Sequence, residues 1–149
     1  WSREDEADVL PTCRELGIGY VAYSPLGRGF LTGAALSADQ LDPKDVRRGM
    51  PRFASENAAH NRMLADRLAE IATGKGVSPA QLALAWVLHR GQNIVPIPGT
   101  RSETRLLENL AAASISLTAQ ELKSLEEVAP PGFARGDRYG APMMRTIDR

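Results

Sequence analysis

Residues 97–109 read IPGTRSETRLLEN, and within this stretch an apolar run ends and a helix begins. The run at residues 94–97 predicts a buried β-strand that stops at a Pro-Gly pair. Ser102 is suited to cap a helix that carries Arg105. Positive charge in the first turn is unexpected, since cations are favoured at the other end of a helix. A bound anion would explain it, because arginines and helix N-termini both attract one.

A second strand and loop of the same kind lie earlier in the chain. Residues 18–23, IGYVAY, are β-branched and aromatic and predict a buried strand, and the loop SPLGRG follows at residues 24–29. Because both loops follow strands and precede helices, parallel pairing places them at one end of the sheet, where α/β proteins bind ligands. Unhindered backbone N–H groups and Arg28 in one loop, with Arg101 and Arg105 in the other, predict a site for a multiply charged anion.

These arginines also have a purely structural explanation. Arginines in a first helical turn are often only solvated, and Glu103 or Glu108 is close enough in sequence to pair with Arg105. Gly27 and Gly29 are weaker evidence for a site, because turns need glycine for steric reasons alone.

The remaining sequence predicts helices with clear start signals. Ser78 and Thr118 each open a capping box at the start of a helix. Two further helices are predicted over residues 4–16 and 57–73, whereas residues 33–55 lack a clean period and predict an irregular excursion. Strands alternating with helices indicate an α/β class. A parallel pair buried on both faces needs neighbouring strands, so the chain is interpreted as the end of a larger α/β array.

Composition excludes several classes of protein. The 149 residues contain 18 basic and 18 acidic side chains, so neither a general nucleic-acid surface nor a membrane surface is indicated. No apolar run approaches the length of a membrane span. The single Cys13 excludes an internal disulfide framework and fits a cytoplasmic location. Because the first residue is Trp1 rather than methionine, we consider both a processed chain and a portion of a longer one.

The other chemistry-bearing residues predict no competing site. His60 and His89 fall on predicted helices away from the loops, His60 facing solvent and His89 ending an apolar helix. Asp39, Asp42 and Asp45 cluster in the irregular region, but a metal site needs ligands that converge. We therefore predict neither a metal site nor a catalytic residue.

Three stretches, in this order and spacing, resemble the aldo-keto reductase family: AYSPLGRGFLTG at residues 22–33, SPAQLALAW at 78–86 and IPGTRSETRLLEN at 97–109. The tail, Arg138-Tyr139-Gly140 with residues 143–149, is similar to the ending of bacterial members. The resemblance covers essentially the whole chain, but only about the C-terminal half of the family's barrel, which needs ~250 residues.

The resemblance implies a (β/α)8 TIM barrel that reduces aldehydes and ketones to alcohols with NADPH. Residues 1–149 would be its C-terminal half, with strand 7 ending at Tyr23 and strand 8 at Ile97. The family's catalytic Asp, Tyr, Lys and His belong to the N-terminal half. The implied partners are therefore that half and a small-molecule carbonyl substrate. The fold also occurs in a potassium-channel β subunit, so a non-catalytic nucleotide-binding module and an inactive fragment are the alternatives.

The resemblance assigns the loop after the first strand to the nicotinamide half of the cofactor. Tyr23 would stack on the nicotinamide ring, although a packed core tyrosine is the commoner fate of an aromatic at a strand end. The residues that would line a strap around the pyrophosphate are Ser24, Leu26, Gly27 and Arg28.

The loop after the second strand is assigned to the adenosine half. Thr100 and Arg105 would hold the 2′-phosphate, whereas Gly99 stands where the family often has a lysine. Arg101 is a candidate to replace that missing cation, which leaves the strength of the preference for NADPH over NADH open. The residues expected at the adenine are Glu108 and Asn109.

Overall fold

The computed structural model describes residues 1–34 and 37–147 of the chain. Its two strands, β1 (Tyr20–Tyr23) and β2 (Ile94–Ile97), form a parallel sheet. Tyr20 pairs with Ile94 and Tyr23 pairs with Ile97, so the strands end together. The predicted α/β class and parallel pairing are confirmed, although β1 begins at Tyr20 rather than at residue 18.

Helices account for most of the regular structure. The α-helices are α1 (Val9–Glu15), α2 (Ser55–Lys75), α3 (Pro79–Leu88), α4 (Glu103–Ala111), α5 (Ala119–Val128) and α6 (Ala141–Met144). Among the residues that the structure describes, no helix combines the length and apolarity that crossing a membrane requires.

The predicted caps are present. The Ser78 hydroxyl accepts a hydrogen bond from the Gln81 N–H at 3.2 Å, and the Gln81 side chain accepts from the Ser78 N–H at 3.0 Å. Thr118 and Glu121 form the same reciprocal pair at the start of α5. Both helices therefore begin where their capping boxes predict, because each box satisfies two N–H groups that lack intrahelical partners.

The first helix is shorter than predicted. Residues Glu4–Glu6 form a 3-10 turn, and α1 begins only at Val9. Pro11 is the reason, since its missing N–H is harmless only within the first turn of a helix. The proline thus marks the true beginning of this helix.

The region predicted to be irregular has only short turns in its described part up to Ser55, where α2 begins. Three 3-10 turns lie there, at Ala38–Gln40, Val46–Gly49 and Pro51–Phe53. Ala35 and Leu36 lie outside the described residues, as do Asp148 and Arg149 of the tail that resembles bacterial aldo-keto reductases.

Two hydrophobic clusters hold the helices and turns together. One gathers on α3, where Leu82 and Ala85 pack with Leu125 of α5. The other contains Phe30, which follows β1, and Phe53 of the last 3-10 turn. Their rings meet edge to face with centroids 5.4 Å apart, an arrangement that adds to the energy of burial. The segment after β1 is thereby anchored to the core.

The prediction that both strands are buried is wrong for one face of the sheet. Val21 is 59% exposed and Val95 is 55% exposed, and Tyr23 and Ile97 lie on the same face. Helices cover only the opposite face, where Ile94 is buried beside α3. An apolar sheet face of this kind is typical of a parallel sheet whose second covering layer lies outside these residues.

Candidate functional site

The sheet register brings the two predicted site loops to one edge. Since Tyr23 and Ile97 are partners at the last position of their strands, both loops leave the same end of the sheet. This confirms the geometric part of the sequence argument. The edge is the one at which parallel α/β proteins place their ligand sites.

The loop after β1 is tightly wound. Ser24 has a φ of 47°, and the consecutive residues Gly27, Arg28 and Gly29 all have positive φ. The Gly27 N–H donates to the Ser24 carbonyl at 2.9 Å and the Gly29 N–H to the Leu26 carbonyl at 3.0 Å. The expectation of unhindered N–H groups is therefore wrong for these two glycines, because the turn uses them to close itself.

Tyr23 lies at the carboxyl end of β1, where its side chain contacts the C-terminal tail. Its phenol oxygen accepts hydrogen bonds from the Arg138 guanidinium and from the Tyr139 hydroxyl, each at 3.1 Å. The Arg28 guanidinium lies 4.6 Å from the centre of the Tyr139 ring, a cation–π contact. Arg138 and Tyr139 lie more than a hundred residues from Tyr23 in the sequence, so no local signal predicts their place in this site.

These contacts change how Tyr23 titrates. Desolvation is the largest influence and raises its pKa, but hydrogen bonds from Tyr139 and Arg138 outweigh it and hold the pKa of Tyr23 below its ordinary value. The positive charges of Arg138 and Arg28 act in the same direction. The lowered pKa of Tyr23 thus reflects the hydrogen bonds and the guanidinium groups gathered around its phenol oxygen.

A cavity of about 120 Å³ opens beside this loop. Its lining includes four of the predicted cofactor residues, which are Tyr23, Ser24, Gly27 and Arg28. Arg138 also lines it, and so does Arg52, a residue only 7% exposed. Burial, followed by the charges of Arg138 and Arg28, lowers the pKa of Arg52 although nearby Glu4 opposes this. Arg3 and Arg90 line it as well, so five guanidinium groups share one cavity with the carboxylates of Asp5 and Glu6.

The loop after β2 is open by comparison. Gly99 is exposed, and a Cβ placed on it would meet no atom within 4 Å. The Thr100 hydroxyl accepts a hydrogen bond from the Ser102 N–H at 3.1 Å, and Ser102 in turn caps α4. Arg101 and Arg105 are exposed and form no ion pair with any residue in the described ranges. Neither Glu103 nor Glu108 pairs with Arg105 here.

The residues predicted at the adenine lie one helical turn further along α4. The Glu108 carboxylate accepts a hydrogen bond from the Ser78 hydroxyl, and the Glu108 carbonyl accepts one from Gln81 at 3.2 Å. Asn109 is half-buried beside it. These contacts fix α4 against the start of α3, so the end of the second loop has a rigid support.

The two histidines are bound to the main chain. His89 Nε2 accepts the Leu117 N–H at 3.1 Å, so its proton lies on Nδ1, which donates to the Ala85 carbonyl at 2.7 Å. His60 is half-buried rather than solvent-facing, with Nε2 3.1 Å from the Phe133 carbonyl oxygen. Within residues 1–34 and 37–147, no group of three or more His, Cys, Asp or Glu side chains is placed to hold a metal ion.

Loops that carry arginines thus lie at the edge of the parallel sheet where α/β proteins place their ligand sites. The family model of the aldo/keto reductase family matches residues 1–130, and the chain belongs to that family. This membership confirms the resemblance drawn from the three sequence stretches.

Solved structures of the same family are similar in fold. Glycerol dehydrogenase AKR11B4 from Gluconobacter oxydans is 29% identical with a TM-score of 0.75, over 83% of this chain and 38% of its own. An aldo/keto reductase from Klebsiella pneumoniae, in complex with NADP and acetate, is 28% identical with a TM-score of 0.61, over 93% and 39%. The thermostable aldo-keto reductase Tm1743 in complex with epalrestat is 30% identical with a TM-score of 0.58, over 86% and 36%. The chain thus spans well under half the length of these proteins.

Proposed function

We propose that this chain is the cofactor-binding C-terminal half of an NADPH-dependent aldo-keto reductase barrel that reduces aldehydes and ketones to alcohols. The observation that carries the proposal is the pair of arginine-bearing loops at one edge of a parallel sheet. Family membership supports it, and so does the Klebsiella pneumoniae neighbour, which was solved with NADP. A cytoplasmic location is part of the proposal.

The residues present fit the chemistry of such a cofactor. Tyr23 is 46% exposed, so a face of its ring is accessible for stacking against a planar group. Arg28, together with Ser24, Leu26 and Gly27, would line the pyrophosphate. Across the edge, Arg105 and Thr100 would hold the 2′-phosphate at the start of α4, where the helix dipole also favours an anion.

Other residues in and after the second loop would also contact the adenosine half of the cofactor. Gly99 leaves open space where Arg101 would reach the 2′-phosphate in place of the lysine common in the family. The contacts at the adenine would come from Glu108 and Asn109.

In the proposed mechanism this chain binds and orients the cofactor, and the N-terminal half of the barrel supplies the catalytic acid. NADPH, when bound, supplies a hydride for the carbonyl carbon of the substrate. Tyr23 would hold the reactive ring in place by stacking, and the arginines would fix the phosphates. A tyrosine outside these residues would protonate the substrate oxygen, in keeping with the prediction that this chain carries no catalytic residue.

The N-terminal half of the barrel is the proposed partner of the exposed sheet face. Val21 and Val95 present apolar area that an isolated soluble protein rarely leaves uncovered. The solved relatives are more than twice as long as the part that matches this chain. We therefore propose that the remaining strands pack against β1 and β2 and cover this face.

Arg105→Ala in the natural polypeptide that contains these residues tests the proposal. Loss of a charge-assisted hydrogen bond to the 2′-phosphate should weaken NADPH binding about tenfold or more, and NADH binding hardly at all. Arg67→Ala is the matched control, since Arg67 is an exposed arginine on α2. Titration of cofactor binding measures both. Equal losses for the two cofactors would contradict the 2′-phosphate role, and tight binding without carbonyl reduction would favour the regulatory module.

A further inference from the structure

The C-terminal tail is fixed to the domain by a buried amide. Asn61 of α2 is fully buried, and its side chain makes two hydrogen bonds to one tail residue. Its Nδ2 donates to the Arg135 carbonyl at 2.9 Å, and its Oδ1 accepts the Arg135 N–H at 2.8 Å. The same Nδ2 donates to the Arg52 carbonyl at 3.1 Å. A buried amide satisfied in this way specifies one position for the main chain that it holds.

Neighbouring contacts hold the tail on either side of this amide. The His60 ring stacks on Phe133 with centroids 4.6 Å apart, and Arg52 donates to the Gly136 carbonyl at 3.2 Å. Gly136 has a φ of 85°, and a Cβ there would lie 2.7 Å from the Pro51 carbonyl carbon. The tail therefore approaches the turn so closely that only glycine fits.

The segment held in this way ends on the predicted cofactor residues. We propose that Arg138 and Tyr139 are part of the dinucleotide site, and that Asn61 is a positioning residue that holds them there. This inference rests on the proposed function of Tyr23 and Arg28. Arg138 and Tyr139 both donate hydrogen bonds to the phenol oxygen of Tyr23, and the Tyr139 ring makes a cation–π contact with the Arg28 guanidinium.

The charge of the cavity indicates which part of the ligand the tail contacts. Arg28, Arg52 and Arg138 all line it. Glu4 is shared between two of them, 3.1 Å from Arg138 and 3.9 Å from Arg52, whereas Arg28 pairs with no carboxylate of the described residues. Arg3 and Arg90 also line the cavity, where both pair with Glu6, and Asp5 lines it too. Five guanidinium groups against the carboxylates of Glu4, Asp5 and Glu6 leave an excess of positive charge. A diphosphate beside the stacked ring is the ligand group that matches this excess.

The geometry favours completion of the site over its obstruction. Both tail residues contact the phenol oxygen of Tyr23, at the rim of the ring. The Arg138 guanidinium also lies 5.9 Å from the centre of the Tyr23 ring, yet Tyr23 remains 46% exposed, so the ring is still partly accessible. A tail that blocked the cofactor would leave Tyr23 buried.

Comparing the binding of two ligands distinguishes an effect of the tail from an effect on the adenosine half of the site. NADPH spans both loops, whereas 2′,5′-ADP carries the 2′-phosphate but has no nicotinamide and no diphosphate. In the natural polypeptide, Tyr139→Ala should weaken NADPH binding about tenfold through the lost cation–π contact and hydrogen bond, and leave 2′,5′-ADP binding unchanged. Tyr139→Phe retains the ring beneath Arg28 and should recover most of the loss.

Gly136→Ala should displace the tail while leaving every proposed cofactor-binding side chain unchanged. It should weaken NADPH binding as Tyr139→Ala does, because its Cβ collides with backbone of the Pro51 turn. Gly132→Ala is the matched control, since Gly132 also has a positive φ but no atom within 4 Å of a Cβ. If Asn61→Ala unfolds the protein, Gly136→Ala and Gly132→Ala still test whether the position of the tail controls NADPH binding.

The possible results separate this inference from the proposed function. Tail variants that bind NADPH normally while Arg105→Ala binds weakly would overturn the inference alone, as would tail variants that bind NADPH more tightly. Equal loss of NADPH and 2′,5′-ADP would mean a general structural defect and would also overturn it. If Arg105→Ala had no effect on either ligand, the proposed function would be wrong. Selective loss of NADPH in the tail variants would support both.

Discussion

The loop after β1 and the loop after β2 begin at paired positions of one sheet, yet the chain supports them very differently. The first is wound through Gly27, anchored by the buried Phe30 and held from outside by Tyr139. The second passes through an exposed Gly99 and presents Arg105 to solvent. Two loops of one proposed site thus differ in preorganisation, and a ligand has less ordering entropy to overcome at the first than at the second.

The largest expected difference between the loops is in stability. Phe30 is 1% exposed and lies 4.9 Å, centroid to centroid, from the Trp1 ring. Phe30→Ala should lower the free energy of unfolding by about 3–5 kcal/mol. Leu107→Ala, on the 60% exposed residue that follows the second loop, should change it by less than about 0.5 kcal/mol. Denaturant titration of the natural polypeptide compares the two, and similar losses would show that the loops are equally supported.

A smaller difference should appear between two glycines. Gly27 has a φ of 57°, and a Cβ there meets only ordinary contacts at 3.6 Å, so Gly27→Ala should cost about 1–2 kcal/mol through backbone conformation alone. Gly99 has neither a positive φ nor a neighbour within 4 Å of a Cβ. Gly99→Ala should therefore be nearly neutral. The same denaturant titration measures both, and a large effect at Gly99 would mean that the second loop is more ordered than its contacts indicate.

The smallest expected effect is a change in cofactor affinity caused by a substitution in the second loop. Gly99→Lys should fit without strain, because the position is open, and would add a cation beside Thr100 and Arg101. Near an exposed phosphate, one such cation is worth on the order of 1 kcal/mol, about a fivefold gain in NADPH affinity over NADH. Gly99→Gln is the uncharged control. An equal gain for both cofactors would place the 2′-phosphate elsewhere.

The sequence was most informative where the decisive interactions are local. Ser78 and Thr118 begin helices through hydrogen bonds to residues three positions away, so their effect is readable from the chain alone. The parallel pairing followed from the order of the elements, which also placed both loops at one edge. Most of the candidate site could therefore be predicted, although the roles of its residues in cofactor binding stay predictions.

The errors arose where distant parts of the chain meet. The exposure of Val21 depends on what covers the sheet, which a strand pattern does not encode. His60 was expected at solvent, but it stacks on Phe133 of the tail. No periodicity connects residues so far apart in sequence, because a contact of this kind depends on where several elements come to rest.

The amino-acid sequence by itself determined the capped starts of α3, α4 and α5, the presence of the two strands and the loops that carry arginines, since each depends on propensities and hydrogen bonds within a few residues. Only the tertiary structure decided that one loop is held by the tail and the other left open. The reason is physical: Asn61 can fix Arg135 only after α2 and the tail have packed together, and only then do Arg138 and Tyr139 reach Tyr23.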